Sequence, residues 1–244
     1  MPESPPLVAC NNPRNAEPDT PGGMRRVRWL EICLVLLVAF GGYFLNSLFI
    51  LKNGSGAGPQ ISNARWSVDG LHKLTALLLL VYVLSRRGRR LRDLGLRWSL
   101  RDVGVGLLIA GASYVAYTLG WAVVQLVHYR MFGSWAHESS IGGLFASHSA
   151  QAIASCLLNP FFEELIVRAY LMTEVLDLTG SSTLAVALSV AVQFAYHLYY
   201  GWAVAISLSF QFLIFALYYA FARRALPIIV AHSLFDISGL VHLW

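Results

Sequence analysis

Glu163 and Glu164 are adjacent carboxylates with Arg168 four residues further on, and all three lie inside an apolar run from Ser149 to Leu176. A charged side chain near a bilayer centre costs roughly 2.5–3.5 kcal/mol even on the lenient insertion scales. Three such groups in one run therefore require partners or a use. Two further runs carry polar groups of the same kind: Gln193 and His197 in one, His232 and Asp236 in the other. Carboxylates and imidazoles are the side chains that take a proton from a nucleophile and return it to a leaving group. Imidazole N–H groups can also face the negative charge that develops on an attacked carbonyl.

The spacing divides these residues into roles. Glu164 and Arg168 are i and i+4 on a helix, so they share a face and can pair. Glu163 lies about 100° around the helix from Glu164 and faces elsewhere. That makes Glu163 the candidate unpaired, reactive carboxylate. His232 and Asp236 repeat the i, i+4 spacing, which lets Asp236 orient the imidazole. Gln193 and His197 repeat it again, and the amide is placed to fix the tautomer of His197. Each pair alone has a plain structural reading, as a salt bridge, a core histidine or a polar contact between helices. Three helices that each bring a titratable group to membrane depth form a functional set.

The elements that must position them are membrane spans. Of 244 residues, 57% are hydrophobic and 13% charged, about half the charge of a soluble domain. Apolar runs of about 20 residues place spans at Trp29–Leu51, Leu71–Ser85 (starting near Trp66), Val103–His128, Ser149–Leu176, Ser182–Leu198, Trp202–Phe221 and Leu226–Leu243. The expected fold is an all-α polytopic transmembrane bundle of about seven spans, with the candidate residues on the last four. Residues 1–28 read as a disordered N-terminal tail, 29–144 as an N-terminal membrane region, and 145–244 as the functional domain. The alternating pattern of a membrane β-barrel is absent.

Charge then sets the orientation. Arg25, Arg26 and Arg28, seven arginines in the loop 86–101, and Arg223-Arg224 all fall on one side of a seven-span bundle. The positive-inside rule makes that side, and the N-terminus, cytoplasmic and puts the C-terminus outside. The net charge of +5 is thus explained by topology and contact with the lipid bilayer, and a nucleic-acid partner is not expected. The aromatic group Tyr196, Tyr199, Tyr200 and Trp202 reads as an interfacial belt. Cys10, Cys33 and Cys156 match neither a metal motif nor a disulfide framework.

At the polar residues the chain resembles the CPBP family, the CAAX-protease and bacteriocin-processing intramembrane proteases. Glu163-Glu164-Leu165-Ile166-Val167-Arg168 carries the family's Glu-Glu-x-x-x-Arg pattern. His197 stands for its second motif, with Gln193 where Phe is usual and Phe194 one place later. His232-Ser233-Leu234-Phe235-Asp236 stands for the third, with Asp at the last position. The resemblance covers residues 145–243.

It implies peptide-bond hydrolysis within a bacterial cell membrane, on a membrane-anchored or C-terminally tagged peptide or protein. Glu163 and His197 would activate water, His232 and Asp236 would face the oxyanion, and Glu164 and Arg168 would support Glu163. No cofactor is expected. The alternative is a divalent metal such as Zn²⁺ held by Glu163, His197 and His232. Two other functions fit the residues less directly. One is a non-catalytic immunity or regulatory protein that binds a peptide or partner on the same scaffold. The other is a proton-coupled transporter, against which the lack of repeat symmetry counts.

Overall fold

The computed structural model describes residues 21–53, 62–136 and 149–240, and the regular structure among them is helical throughout. The helices are α1 (Pro21–Asn53), α2 (Asn63–Arg86), α3 (Leu100–Phe132), α4 (Ala150–Glu163), α5 (Met172–Thr179), α6 (Ser182–His197), α7 (Trp202–Ala222) and α8 (Leu226–Leu240). A π-helix, Glu164–Leu171, joins α4 to α5, so that Ala150–Thr179 is one continuous rod. Among the described residues, six helices are long and apolar enough to cross a membrane, and α8 is a shorter apolar helix. The chain is a polytopic helical bundle.

Local chemistry explains where the helices begin. Ser62, Ser99, Ser149 and Ser181 each cap a helix by accepting from a backbone N–H in its first turn, satisfying one of the orphan donors there. Pro227 sits in the first turn of α8, where its missing N–H costs nothing. The Ser62 cap starts the second span at Asn63. At the other end, α1 begins at Pro21, so residues 21–28 are helical and not part of a tail. The rest of the tail, loop residues 54–61 and 137–148 (with His137, Glu138 and His148), and residues 241–244 lie outside the described residues.

α3 packs along α7 and α8, and α2 along α4. Close approach of α3 and α8 depends on Gly106, where a Cβ would lie 2.8 Å from the Pro227 carbonyl oxygen. Small residues at such crossings let backbones pack where apolar burial gives no net drive. Leu107, Leu108, Val115, Leu119, Val123 and Leu126 on α3 remain exposed, as expected of a face turned to lipid.

The arginine-rich end is bound together by ion pairs. Glu174 on α5 is fully buried and takes Arg28 of α1 at 2.7 Å, Arg87 at 2.6 Å and Arg89 at 3.2 Å. Arg89 also pairs with Asp177 at 2.7 Å, and Arg87 with Glu31. Arg87 and Arg89 are therefore interhelical clamps and not simply topology signals, because Glu174 is too deep to be left without counter-charge.

The opposite end has its own clamp. Asp69 accepts from Tyr43 and Ser155, each at 2.5 Å, and pairs with the buried Lys73 at 2.8 Å. Lys73 also donates to Ser155 at 3.1 Å. The cluster ties α1, α2 and α4 together. Asp69→Asn leaves Lys73 without its anion, and the expected loss is about 1–3 kcal/mol, read as a lower unfolding midpoint in detergent. Adding Lys73→Met to that variant should recover part of the loss.

Candidate active site

The Ala150–Thr179 rod changes pitch where its charged residues lie. Pro160 removes a backbone N–H one turn before the π-helix, which disturbs the ladder at that point. The π-helix then follows, a wider turn found mostly at functional sites. All eight of its residues, Glu164 to Leu171, are buried. Glu163 is the last residue of α4 and Glu164 the first of the wider turn. At 1.5 Å per residue, Glu163 lies roughly 20 Å along the rod from Ala150, near its middle.

Glu163 is not unpaired. Its Oε1 accepts from Asn159 Nδ2 at 3.0 Å, and its Oε2 accepts a short hydrogen bond from the Tyr196 hydroxyl. The second hydrogen of the Asn159 amide goes to Asp236 Oδ2 at 3.2 Å. Asn159 thus links the carboxylates of α4 and α8. The sequence signal for this was its i, i+4 spacing to Glu163. Tyr196 is also no interfacial residue: it is buried, and its ring stacks on Phe40 of α1 at 4.6 Å. Its hydrophobic neighbours concealed it, since a Tyr next to aromatic residues at a span end reads equally well as a belt.

Glu164 has two partners. Its Oε1 accepts from His232 Nδ1 at 2.7 Å, and its Oε2 lies 3.4 Å from Arg168 Nε. The expected Glu164–Arg168 pair is therefore present as an ion contact. The partner that orients His232 is Glu164 and not Asp236, whose Oδ1 is 3.6 Å from Nε2, beyond hydrogen-bond reach. The imidazole turns its Nδ1 toward α4, and Asp236 is held by Asn159 instead. Arg168 is fully buried, with its guanidinium over the rings of Phe212 at 5.0 Å and Phe215 at 5.9 Å.

His197 ends α6. Its Nδ1 donates to the backbone carbonyl of Gln193 at 2.9 Å, since a carbonyl can only accept. Nε2 is then the basic nitrogen of the neutral ring. The tautomer is fixed by the main chain of Gln193, where the sequence suggested its amide. The amide itself reaches the other way. Turned so that its oxygen accepts from Arg168, the orientation that satisfies both neighbours, the amide puts its nitrogen against the Tyr196 hydroxyl and, at 3.3 Å, Glu163 Oε2. Gln193 thus joins the arginine to the Tyr196–Glu163 pair. Ser47 of α1 secures this helix end by donating to the Tyr196 carbonyl at 2.9 Å and accepting from the Tyr199 N–H at 3.1 Å. It satisfies groups that a helix terminus leaves open.

The structure brings Glu163, Glu164, Arg168, Gln193, His232 and Asp236 into one connected network, with Asn159 and Tyr196 added. His197 lies beside it, its ring 4.3 Å from that of Tyr196 and 4.8 Å from that of Phe212. Among the described residues, Glu163, Glu164 and His232 offer ligand atoms within 4.8 Å of one another, so the group with metal-ligand spacing there contains Glu164 and not the expected His197. That set suits a dication poorly. Glu164 already serves His232 and a buried guanidinium, whose fixed charge opposes a second cation.

Inside the helical bundle the carboxylates of Glu163, Glu164 and Asp236 gather with the imidazole of His232, and His197 lies beside them at the end of α6, forming one polar centre. Residues 145–238, which carry every member of that centre, match the family model described as type II CAAX prenyl endopeptidase Rce1-like. The segment is thus similar to that endopeptidase family, whose description is that of a protease. No curated protein and no solved structure matches the chain.

Removing the Tyr196 hydroxyl tests how far Glu163 depends on being held. A hydrogen bond to a charged group is worth about 1.5–3 kcal/mol. Tyr196→Phe is therefore expected to cost that much in stability, read as an unfolding midpoint lowered by several degrees, with the Glu163 carboxylate less firmly held.

Proposed function

We propose that the chain is a glutamate-type intramembrane endopeptidase that cleaves a membrane-anchored or C-terminally tagged protein, with Glu163 and His197 activating water. The observation that carries this reading is a pair of fixed groups: a carboxylate held by Asn159 and Tyr196, and an imidazole whose basic Nε2 is set by the Gln193 carbonyl. Oε1 of Glu163 retains a lone pair beyond its hydrogen bond from Asn159, so the carboxylate can still take a proton from water. The hydroxide equivalent adds to the scissile carbonyl carbon. His232, held through Nδ1 by Glu164, presents Nε2–H to the resulting oxyanion when it is protonated. Collapse breaks the C–N bond, and the proton taken from water passes to the leaving amine.

Asp236 now has a different role from the one first expected. Linked through Asn159 to Glu163 and facing His232 Nε2, it helps hold the proton that the imidazole needs. Among these groups Arg168 is the permanent cation, and the carboxylate it meets is Glu164.

The test is cleavage of a lipid-anchored reporter peptide by the purified chain in nanodiscs. Cleavage should persist through exhaustive chelation, since no step needs a metal. No cleavage of any anchored peptide, together with peptide binding, would favour a non-catalytic binding protein. Loss of cleavage on chelation and its return with Zn²⁺ would place Glu163, Glu164 and His232 around a metal.

A further inference from the structure

A cleft of about 320 Å³ opens at the arginine-rich end, lined by Arg92, Asp93, Gly95, Arg97, Arg223 and Arg224. Its size is at the low end of ligand-sized clefts. It lies between the turn joining α2 to α3 and the turn joining α7 to α8, away from the acid–base centre. The two turns are built on each other. Gly95 has φ +84°, and a Cβ there would lie 2.1 Å from the Arg223 carbonyl oxygen. The Ala225 N–H donates to the Gly95 carbonyl at 3.0 Å. Arg223 is itself left-handed at φ 52°. The walls are therefore fixed by backbone contact and not by side-chain packing alone.

Four guanidinium groups converge on this cleft, and two carboxylates offset half of their charge. Arg224 is paired with Asp102, to which its Nε donates at 2.8 Å. Arg223 lies over the Tyr219 ring and reaches Thr173 at 3.4 Å. Arg92 is 4.0 Å from Asp93, and Arg97 Nε donates to the Arg92 carbonyl at 3.4 Å. Both Arg92 and Arg97 are exposed, and most of their N–H donors are left for other acceptors.

The rim beside these arginines is apolar and unburied. Trp98 is 78% exposed, Leu100 81% and Phe221 91%. Guanidinium groups next to an exposed tryptophan, leucine and phenylalanine are the composition of a headgroup boundary. The planar fork of arginine matches the oxygens of a phosphate.

We propose that the cleft binds the phosphate of an anionic phospholipid, with Arg92 and Arg97 on the phosphate and the acyl chains passing over Trp98, Leu100 and Phe221. Occupancy also reaches the catalytic rod. The Tyr219 hydroxyl lies 3.0 Å from the Leu94 carbonyl, 3.1 Å from the Ala169 carbonyl and 3.0 Å from Thr173 Oγ1. The turn that forms the cleft therefore braces the π-helix that carries Arg168.

The experiment compares unfolding midpoints of the full chain in phosphatidylcholine nanodiscs with and without phosphatidylglycerol. Phosphatidylglycerol should raise the midpoint by roughly 4–8 °C, and Arg92→Ala/Arg97→Ala should lose most of that rise. A charge-matched control, Arg26→Ala/Arg86→Ala, removes two exposed arginines elsewhere on the same end and should keep it. If the alanine pair folds poorly, Arg92→Lys/Arg97→Lys keeps the charge without the fork and should keep only part of the rise. Inorganic phosphate added to phosphatidylcholine discs should not reproduce it. The proposal is overturned if phosphatidylglycerol gives no rise, if the control loses as much as the cleft variant, or if free phosphate gives the full effect.

Discussion

Glu163→Gln is expected to abolish cleavage of an anchored peptide while the bundle unfolds within a few degrees of wild type. The substitution keeps size and shape, and the amide can still meet both neighbours. Its oxygen can accept from Asn159, and its nitrogen can donate to the Tyr196 oxygen, which is able to accept. It cannot take a proton. A positioned general base contributes typically 10²- to 10⁴-fold, and here no second carboxylate can replace it. Glu164 is engaged by His232 and Arg168, and Asp236 by Asn159. A fall of about 10³-fold or more in kcat is therefore expected, with binding of the uncleaved peptide retained. Cleavage within ten-fold of wild type would remove Glu163 from the role of base and leave His197 to act alone.

The bundle was legible because lipid imposes a strong constraint. Apolar runs of about 20 residues and arginines on alternate loops are consequences of hydrophobic thickness and translocation, and neither depends on tertiary packing. The candidate residues were legible for a related reason: an ionisable group in an apolar run has few places to go except the bundle interior. The partners were harder to read. A 3.6-residue period puts Glu163 on a face of its own. That period fails one residue later, where the rod widens into the π-helix Glu164–Leu171. No residue in that stretch marks the change except Pro160 before it. The i, i+4 rule found Glu164 with Arg168, yet it could not show that His232 reaches across from α8 to the same carboxylate. Contacts between helices are set by rotation and depth, and neither is written in local spacing. Tyr196 and Asn159 were missed because each has an ordinary reading beside its neighbours in sequence.

The same distinction between position and charge gives Arg168 its consequence. Arg168→Met is expected to destabilise the fold by about 3–5 kcal/mol, seen as a large drop in unfolding midpoint and in yield from the membrane. The guanidinium is fully buried over Phe212 and Phe215. Without it, Glu164 keeps His232 but loses its permanent cation, and the Gln193 amide oxygen loses its donor. An uncompensated carboxylate in that position costs far more than the lost contact itself. Arg168→Met/Glu164→Gln removes the stranded charge as well and should recover a substantial part of the midpoint. Its activity should stay low, because His232 then lacks the carboxylate that orients it. Arg168→Lys should fall between, since an ammonium keeps the charge but not the planar fork. If Arg168→Met unfolds like wild type and only its activity is lost, Arg168 acts on the reacting groups directly, and the structural role is wrong.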